Sequence, residues 1–116
     1  MRNYEEKLQT ACYHWFTLQY SIYRGLLFHV PNGGSRKSAA EGARFKRMGV
    51  VPGVADFVFL FNKTAYLIEL KSGSGKQQDT QKDFQNTVEK HGFEYHIIHS
   101  VDGFRKLIDS IIKKEL

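Results

Sequence analysis

The spacing of apolar residues changes several times along the 116-residue chain, and each change marks an element. Tyr4, Leu8, Ala11, Trp15, Leu18 and Ile22 recur at three- and four-residue intervals. They predict an amphipathic helix, opened by Asn3 and Glu6 at capping-box spacing. Residues 26–30 form a short apolar run that predicts a first strand, ended by Pro31 and the turn Asn32-Gly33-Gly34. Ser38 and Glu41 repeat the capping pattern and start a second helix, which runs to Met48 and stops at Gly49. Residues 55–61 and 65–71 are rich in aromatic and branched side chains and flank Asn62-Lys63, so they predict an antiparallel hairpin. A polar helix follows over 79–91, with Phe84 and Val88 as its inward pair and Gly92 as its stop. Alternation over 93–99 predicts a fourth strand, and Phe104, Leu107, Ile108, Ile111 and Ile112 line one face of a last helix starting at Asp102. The order predicts a small α/β domain with a mixed sheet covered on both sides.

The hairpin is the unusual element, because it carries Asp56, Glu69 and Lys71 among apolar neighbours. With a two-residue turn, Phe61 opposes Thr64, and counting outward sets Asp56 opposite Glu69. Asp56, Glu69 and Lys71 then share the face of Val58, Leu60 and Leu67. A three-residue turn would send Glu69 to the other face unless a bulge intervened. Directly opposed β-carbons lie roughly 5 Å apart, a distance at which two carboxylates repel. A positive group should lie between them, and both Lys71 and a hard divalent cation with oxygen ligands suit the place. A solvated strand end with an ordinary ion pair produces the same pattern. Both faces of the hairpin read as buried, however, and charge beside apolar walls is costly unless it is paired or metal-bound. Pro52-Gly53 is a turn that delivers the chain sharply into the first hairpin strand.

Composition sets outer bounds. The length, with 41% hydrophobic and 14% aromatic residues, suits one compact domain over 1–116 with one core. A formal charge of +5 suits an anionic partner. The single cysteine, Cys12, excludes an internal disulfide and a paired-cysteine zinc site and fits a reducing compartment. No signal segment or long apolar run is visible, so the expected location is the cytoplasm, away from membranes. Arg36, Lys37, Arg44, Lys46 and Arg47 crowd the segment ahead of the hairpin, where Glu41 is the one acid between residues 36 and 51. A solvated helix face and contact with a nucleic-acid backbone both account for that run. The turn containing Asn32 and Gly33 is either a plain turn or a set of backbone N–H groups open to a phosphate. Residues 72–76, Ser-Gly-Ser-Gly-Lys, miss the phosphate-loop pattern, because Gln77 follows the lysine and the first glycine is displaced. Glu5 and Gln9 lie one turn apart beside the apolar stripe of the first helix; Glu5 also serves as a first-turn acid complementing the helix dipole. Cys12 and His14 are assigned to packing or surface. Gln81, one turn before Gln85, can face the hairpin, but from the sequence alone it reads as a surface glutamine.

Five elements in order resemble the virus-type replication-repair nuclease (VRR-NUC) branch of the PD-(D/E)XK nuclease superfamily. They are E-x-x-x-Q at 5–9, H-V-P-N-G-G at 29–34, G-V-x-P-G-x-x-D at 49–56, E-x-K at 69–71 and Q-x-x-F at 81–84. Ala55 stands where the superfamily often has proline, which changes backbone stiffness and no ligand. The resemblance implies a restriction-endonuclease-like core and a metal-dependent deoxyribonuclease. It implies that Asp56, Glu69 and the Leu70 carbonyl hold Mg²⁺ or Mn²⁺. Glu5 would complete the acidic cluster, Lys71 would orient or deprotonate the attacking water, and Gln81 would position that water or a DNA oxygen. The implied products are a 5′-phosphate and a 3′-hydroxyl. Stand-alone members resemble Holliday-junction resolvases, which implies a homodimer on four-way DNA, and twofold symmetry suits paired nicks. A non-catalytic nucleic-acid-binding module, an exonuclease and a less selective or sequence-specific endonuclease are the other readings.

Overall fold

The computed structural model describes residues 2–31 and 38–114, with side chains described from residue 4 onward. Helix α1 (Arg2–Gln19) is followed by a 3₁₀ turn (Ser21–Tyr23), strand β1 (Leu27–His29) and helix α2 (Ala39–Arg47). Strands β2 (Phe57–Phe61) and β3 (Thr64–Leu70), helix α3 (Asp79–Lys90), strand β4 (Glu94–Ile98) and helix α4 (Val101–Lys114) complete the chain. The order of elements matches the one read from the sequence, apart from the added 3₁₀ turn. The sheet runs β1-β2-β3-β4, antiparallel at the first two pairings and parallel at the last. It is the expected mixed sheet with helices on both sides.

Local chemistry explains the element ends. The Ser38 hydroxyl accepts the Glu41 N–H at 3.1 Å, capping α2 as its spacing predicts. The hairpin turn has the predicted two residues: Phe61 pairs with Thr64, and Asn62 and Lys63 have φ values of 50° and 69°. Positive φ at both positions is the type I′ geometry that matches strand twist. Gly53 has φ +82°, and a β-carbon there would stand 2.2 Å from the Thr80 carbonyl oxygen. That contact lays the loop before Asp56 directly on the first turn of α3, and only glycine fits it.

One face of the sheet holds the main core. Leu27, Phe57, Phe59, Ile68 and Leu70 meet Cys12 and Phe16 of α1 and Phe104, Ile108, Ile111 and Ile112 of α4. Aromatic contacts organise it: Phe16 stands edge-on to Phe59 at 5.6 Å, and Trp15 edge-on to Phe104 at 6.0 Å. Burial pushes the Cys12 thiol up to about 12, so the side chain acts as a small apolar filler. Tyr20 ties the end of α1 to α4 through a 2.5 Å hydrogen bond to Asp109.

The buried stripe of α1 corrects the sequence expectation. Tyr4, Leu18 and Ile22 are 67%, 70% and 83% exposed, whereas Cys12 and Phe16 are fully buried with Leu8 and Trp15 packed beside them. Two overlapping rows of apolar residues share this helix, and the sheet takes the one that offers Phe16 to Phe59. On the opposite face of the sheet, α3 lays Phe84 and Val88 over Ala55, Leu67 and Tyr95. The expectation that this face is buried throughout holds only there, for Leu60 and Phe28 are 41% and 39% exposed. Among the described residues no helix is long and apolar enough to cross a membrane.

Candidate active site

The register places Asp56 and Glu69 together as the turn predicts. Asp56 lies one residue before the last β2–β3 pair, Phe57 with Ile68, and is therefore in line with Glu69. It is fastened from both neighbouring strands. Its carbonyl oxygen accepts the Val30 N–H at 3.0 Å and faces His29 Nδ1 at 2.7 Å. A carbonyl only accepts, so Nδ1 carries the proton in this contact. On the other side, Asp56 Oδ2 accepts the Leu70 N–H at 2.7 Å. Burial pushes the Asp56 carboxyl above the ordinary aspartate range. The Leu70 N–H and His29 pull it down, while the neighbouring charges of Glu69 and Glu5 push it further up.

Glu69 is fully buried, which for a carboxylate demands donors. Its Oε1 accepts the Tyr95 hydroxyl at 2.5 Å and Gln77 Nε2 at 3.0 Å. Its Oε2 is buried without a hydrogen bond, and the Lys71 ammonium lies 3.8 Å away. Lys71 is itself only 8% exposed. Its backbone is held by β4, with the N–H donating to the Ile98 carbonyl at 3.0 Å and the carbonyl accepting from His99 Nδ1 at 3.2 Å. Glu69 and Lys71 are thus buried together, with one carboxylate oxygen left without a hydrogen bond.

The remaining sequence candidates fall at varying distances from this centre. Glu5, half-buried on the first turns of α1, acts on Asp56 through its charge. Among the described residues, no group of three or more acidic, histidine or cysteine side chains is gathered tightly enough to hold a metal. Gln81 turns its Oε1 to the Gln78 N–H at 2.8 Å and so closes the N-terminus of α3. Arg44, Lys46 and Arg47 are exposed on α2, and Lys46 lines an open groove with Val50 and Pro52. Asn32, Gly33, Arg36 and Lys37 lie outside the described residues.

Four residues around the site carry no recognisable signal in the sequence. Gln77 Nε2 also donates to Gln85 Oε1 at 2.8 Å, and Gln85 Nε2 donates to Glu89 Oε2 at 3.1 Å. Tyr95 reaches Glu69 because β4 joins β3 in parallel, with Leu67 opposite Tyr95. One hint was available: an inward tyrosine needs a partner for its hydroxyl. Nothing in the sequence names Glu69 as that partner.

These donors suit a hard divalent cation. Mg²⁺ keeps several waters and binds through one or two carboxylates, so it does not need a three-residue cage. Asp56 and Oε2 of Glu69 supply such a pair, and a buried carboxylate oxygen that takes no hydrogen bond is stabilised by a cation.

Comparison with known proteins bears on family and fold. The VRR-NUC domain family matches residues 3–102. No curated protein matches the sequence. A solved structure of a VRR-NUC domain protein superposes with a TM-score of 0.76 at 25% identity, covering 94% of this chain and 88% of that one. The chain belongs to the VRR-NUC domain family, whose members are nucleases of the PD-(D/E)XK type.

Proposed function

We propose that the chain is a metal-dependent DNA endonuclease that hydrolyses phosphodiester bonds in branched DNA and resolves four-way (Holliday) junctions as a homodimer. The observation that carries the hydrolytic reading is the half-buried Asp56 in line with the fully buried Glu69, with Glu69 Oε2 lacking a hydrogen bond and Lys71 3.8 Å from it. Asp56, Glu69 Oε2 and the Leu70 carbonyl hold Mg²⁺ or Mn²⁺. Such an ion, when bound, polarises a phosphoryl oxygen and generates the nucleophile at neutral pH.

The side chains divide the remaining work. Lys71 orients or deprotonates the attacking water and stabilises charge on the phosphate. Gln81, whose oxygen closes α3, offers its Nε2 donor to that water or to a DNA oxygen. Glu5 adds negative charge beside Asp56 and completes the acidic cluster. Arg44, Lys46 and Arg47, with Asn32, Gly33, Arg36 and Lys37 in the preceding segment, contact the DNA backbone. Residues 1–116 act as one nuclease domain, and a lone, buried Cys12 fits work in the cytoplasm. Junction choice and dimerisation rest on symmetry: two matched nicks across a four-way junction require two sites in fixed relation.

The test is a labelled immobile four-way junction and the matching linear duplex, incubated with wild type or Asp56→Ala in Mg²⁺, Mn²⁺ or EDTA. Symmetric nicks confined to the junction, lost with EDTA or Asp56→Ala, are expected, from a protein that sediments as a dimer. Cutting of both DNAs removes junction selectivity and keeps the nuclease. Binding without cutting in every condition replaces the enzyme with a non-catalytic DNA-binding module.

A further inference from the structure

The two oxygens of Glu69 live in different surroundings. Oε1 takes hydrogen bonds from the Tyr95 hydroxyl and from Gln77 Nε2, at 2.5 and 3.0 Å, while Oε2 takes none. A carboxylate with two free oxygens can rotate about its last bond and bind a cation through either oxygen or both. Here both rotation and bidentate binding are opposed, because each would strip two donors from Oε1 of a fully buried carboxylate.

The donors are themselves directed. The Gln77 amide has two N–H bonds and gives one to Glu69 Oε1 and the other to Gln85 Oε1 at 2.8 Å. Gln85 is turned the right way by Glu89 Oε2, which accepts its Nε2 at 3.1 Å. An ionised carboxylate accepts only, so it fixes which end of Gln85 is oxygen, and Gln85 then fixes Gln77. The chain of donors runs along α3 and ends at the buried glutamate. Tyr95 arrives independently from β4, its ring held 6.2 Å from Phe84.

We propose that Tyr95 and Gln77 are positioning residues: together they occupy Oε1 of Glu69 and leave Oε2 as the one oxygen presented to the divalent ion. The inference rests on the metal-dependent reading above. Outer partners of metal-binding carboxylates set ligand orientation, and their loss typically costs about ten- to a hundredfold in metal affinity.

Mn²⁺ binding by isothermal calorimetry, on wild type, Asp56→Ala, Tyr95→Phe and Gln77→Leu, tests it without any cleavage assay. Tyr95→Phe keeps the ring against Phe84 and removes only the hydroxyl. Gln77→Leu alters a half-buried loop residue and keeps the side-chain bulk. Each is expected to weaken Mn²⁺ binding by about ten- to a hundredfold while circular dichroism shows a folded protein. A merely structural role would lower the melting temperature of the metal-free protein and leave the affinity of folded molecules unchanged. Wild-type affinity in a folded Tyr95→Phe therefore overturns the proposal, and if that variant does not fold, wild-type affinity in Gln77→Leu overturns it. A wild-type protein with no saturable Mn²⁺ site removed by Asp56→Ala sinks the metal-dependent reading itself, and this inference with it.

Discussion

Strand β3 presents two different chemistries on its two faces. Tyr66, Ile68 and Leu70 point into a core of aromatic and aliphatic side chains from α1 and α4. Leu67 and Glu69 point the other way, under α3, where Tyr95, Gln77 and Lys71 surround a buried carboxylate. All five residues from Tyr66 to Leu70 are buried, so burial alone does not distinguish the faces. On the core face each buried atom adds hydrophobic and dispersion stabilisation. On the α3 face each buried polar atom must find a partner or cost stability, and Glu69 Oε2 has the Lys71 ammonium at 3.8 Å but no hydrogen bond. The first face holds the molecule together; the second holds a buried carboxylate beside a lysine, with one oxygen left without a hydrogen bond.

The sharpest way to break this contrast is a pair of substitutions, one on each face. Phe59→Ala opens a cavity where Phe16, Phe61 and Tyr66 converge and should lower unfolding free energy by about 3–5 kcal/mol in a denaturant titration. Glu69→Gln keeps the shape and an oxygen for Tyr95 but removes the charge. It should abolish cleavage while shifting the denaturant midpoint far less than Phe59→Ala. Comparable destabilisation by both variants would mean that the α3 face is as much a part of the stabilising core as the other.

How much of this was legible in the sequence follows the same division. The hairpin's register was readable once its turn is taken as two residues, because a period of two then joins Asp56 to Glu69, although the strands run over 57–61 and 64–70 where the sequence suggests 55–61 and 65–71. Capping by Ser38, the stop at Gly92 and the apolar face of α4 were readable for similarly local reasons. The stripe of α1 was not, since Leu18 and Ile22 continue a helical period as well as Phe16 does, and only the sheet decides between them. Nor was the role of Gln77. A glutamine in a Ser-Gly-rich loop signals nothing until the parallel pairing of β3 with β4 and the docking of α3 bring it to Glu69. Local periodicity encodes the positions of the charges; their donors come from long-range contacts.

Asp56 offers a smaller test of the same contrast. Its carboxyl is raised by burial, lowered by the Leu70 N–H, raised by Glu69, lowered by His29 and raised by Glu5, with a net upward shift. The folded protein then holds this proton more tightly than the unfolded chain, where aspartate titrates near about 3.9. Its contribution to stability is fully present below that value and is lost as pH rises through the higher folded pKa. Asp56→Asn mimics the protonated form and still offers an oxygen to the Leu70 N–H. Without metal it should melt above wild type at neutral pH, with the gap closing as pH falls through the raised folded pKa and gone below about pH 4. A gap that is unchanged by pH would assign the difference to packing.

The smallest effect is expected at the turn, which belongs to both faces at once. Asn62 tolerates positive φ because its short polar side chain adapts to it, whereas Lys63 at φ 69° pays the steric penalty of a β-carbon in the left-handed region. Lys63→Gly relieves that penalty and loses some of the gain to the greater freedom of glycine in the unfolded chain, so it should add up to about 1 kcal/mol. Because one register sets Ile68 against the core and Glu69 under α3, a tighter turn stabilises the two faces together without moving either carboxylate. The rise in melting temperature should therefore be the same with and without Mn²⁺, and the Mn²⁺ affinity should equal that of wild type. A change in affinity would show that the strand ends at Asp56 and Glu69 shift relative to each other when the turn is altered, and that the register found here is held from the α3 end as well.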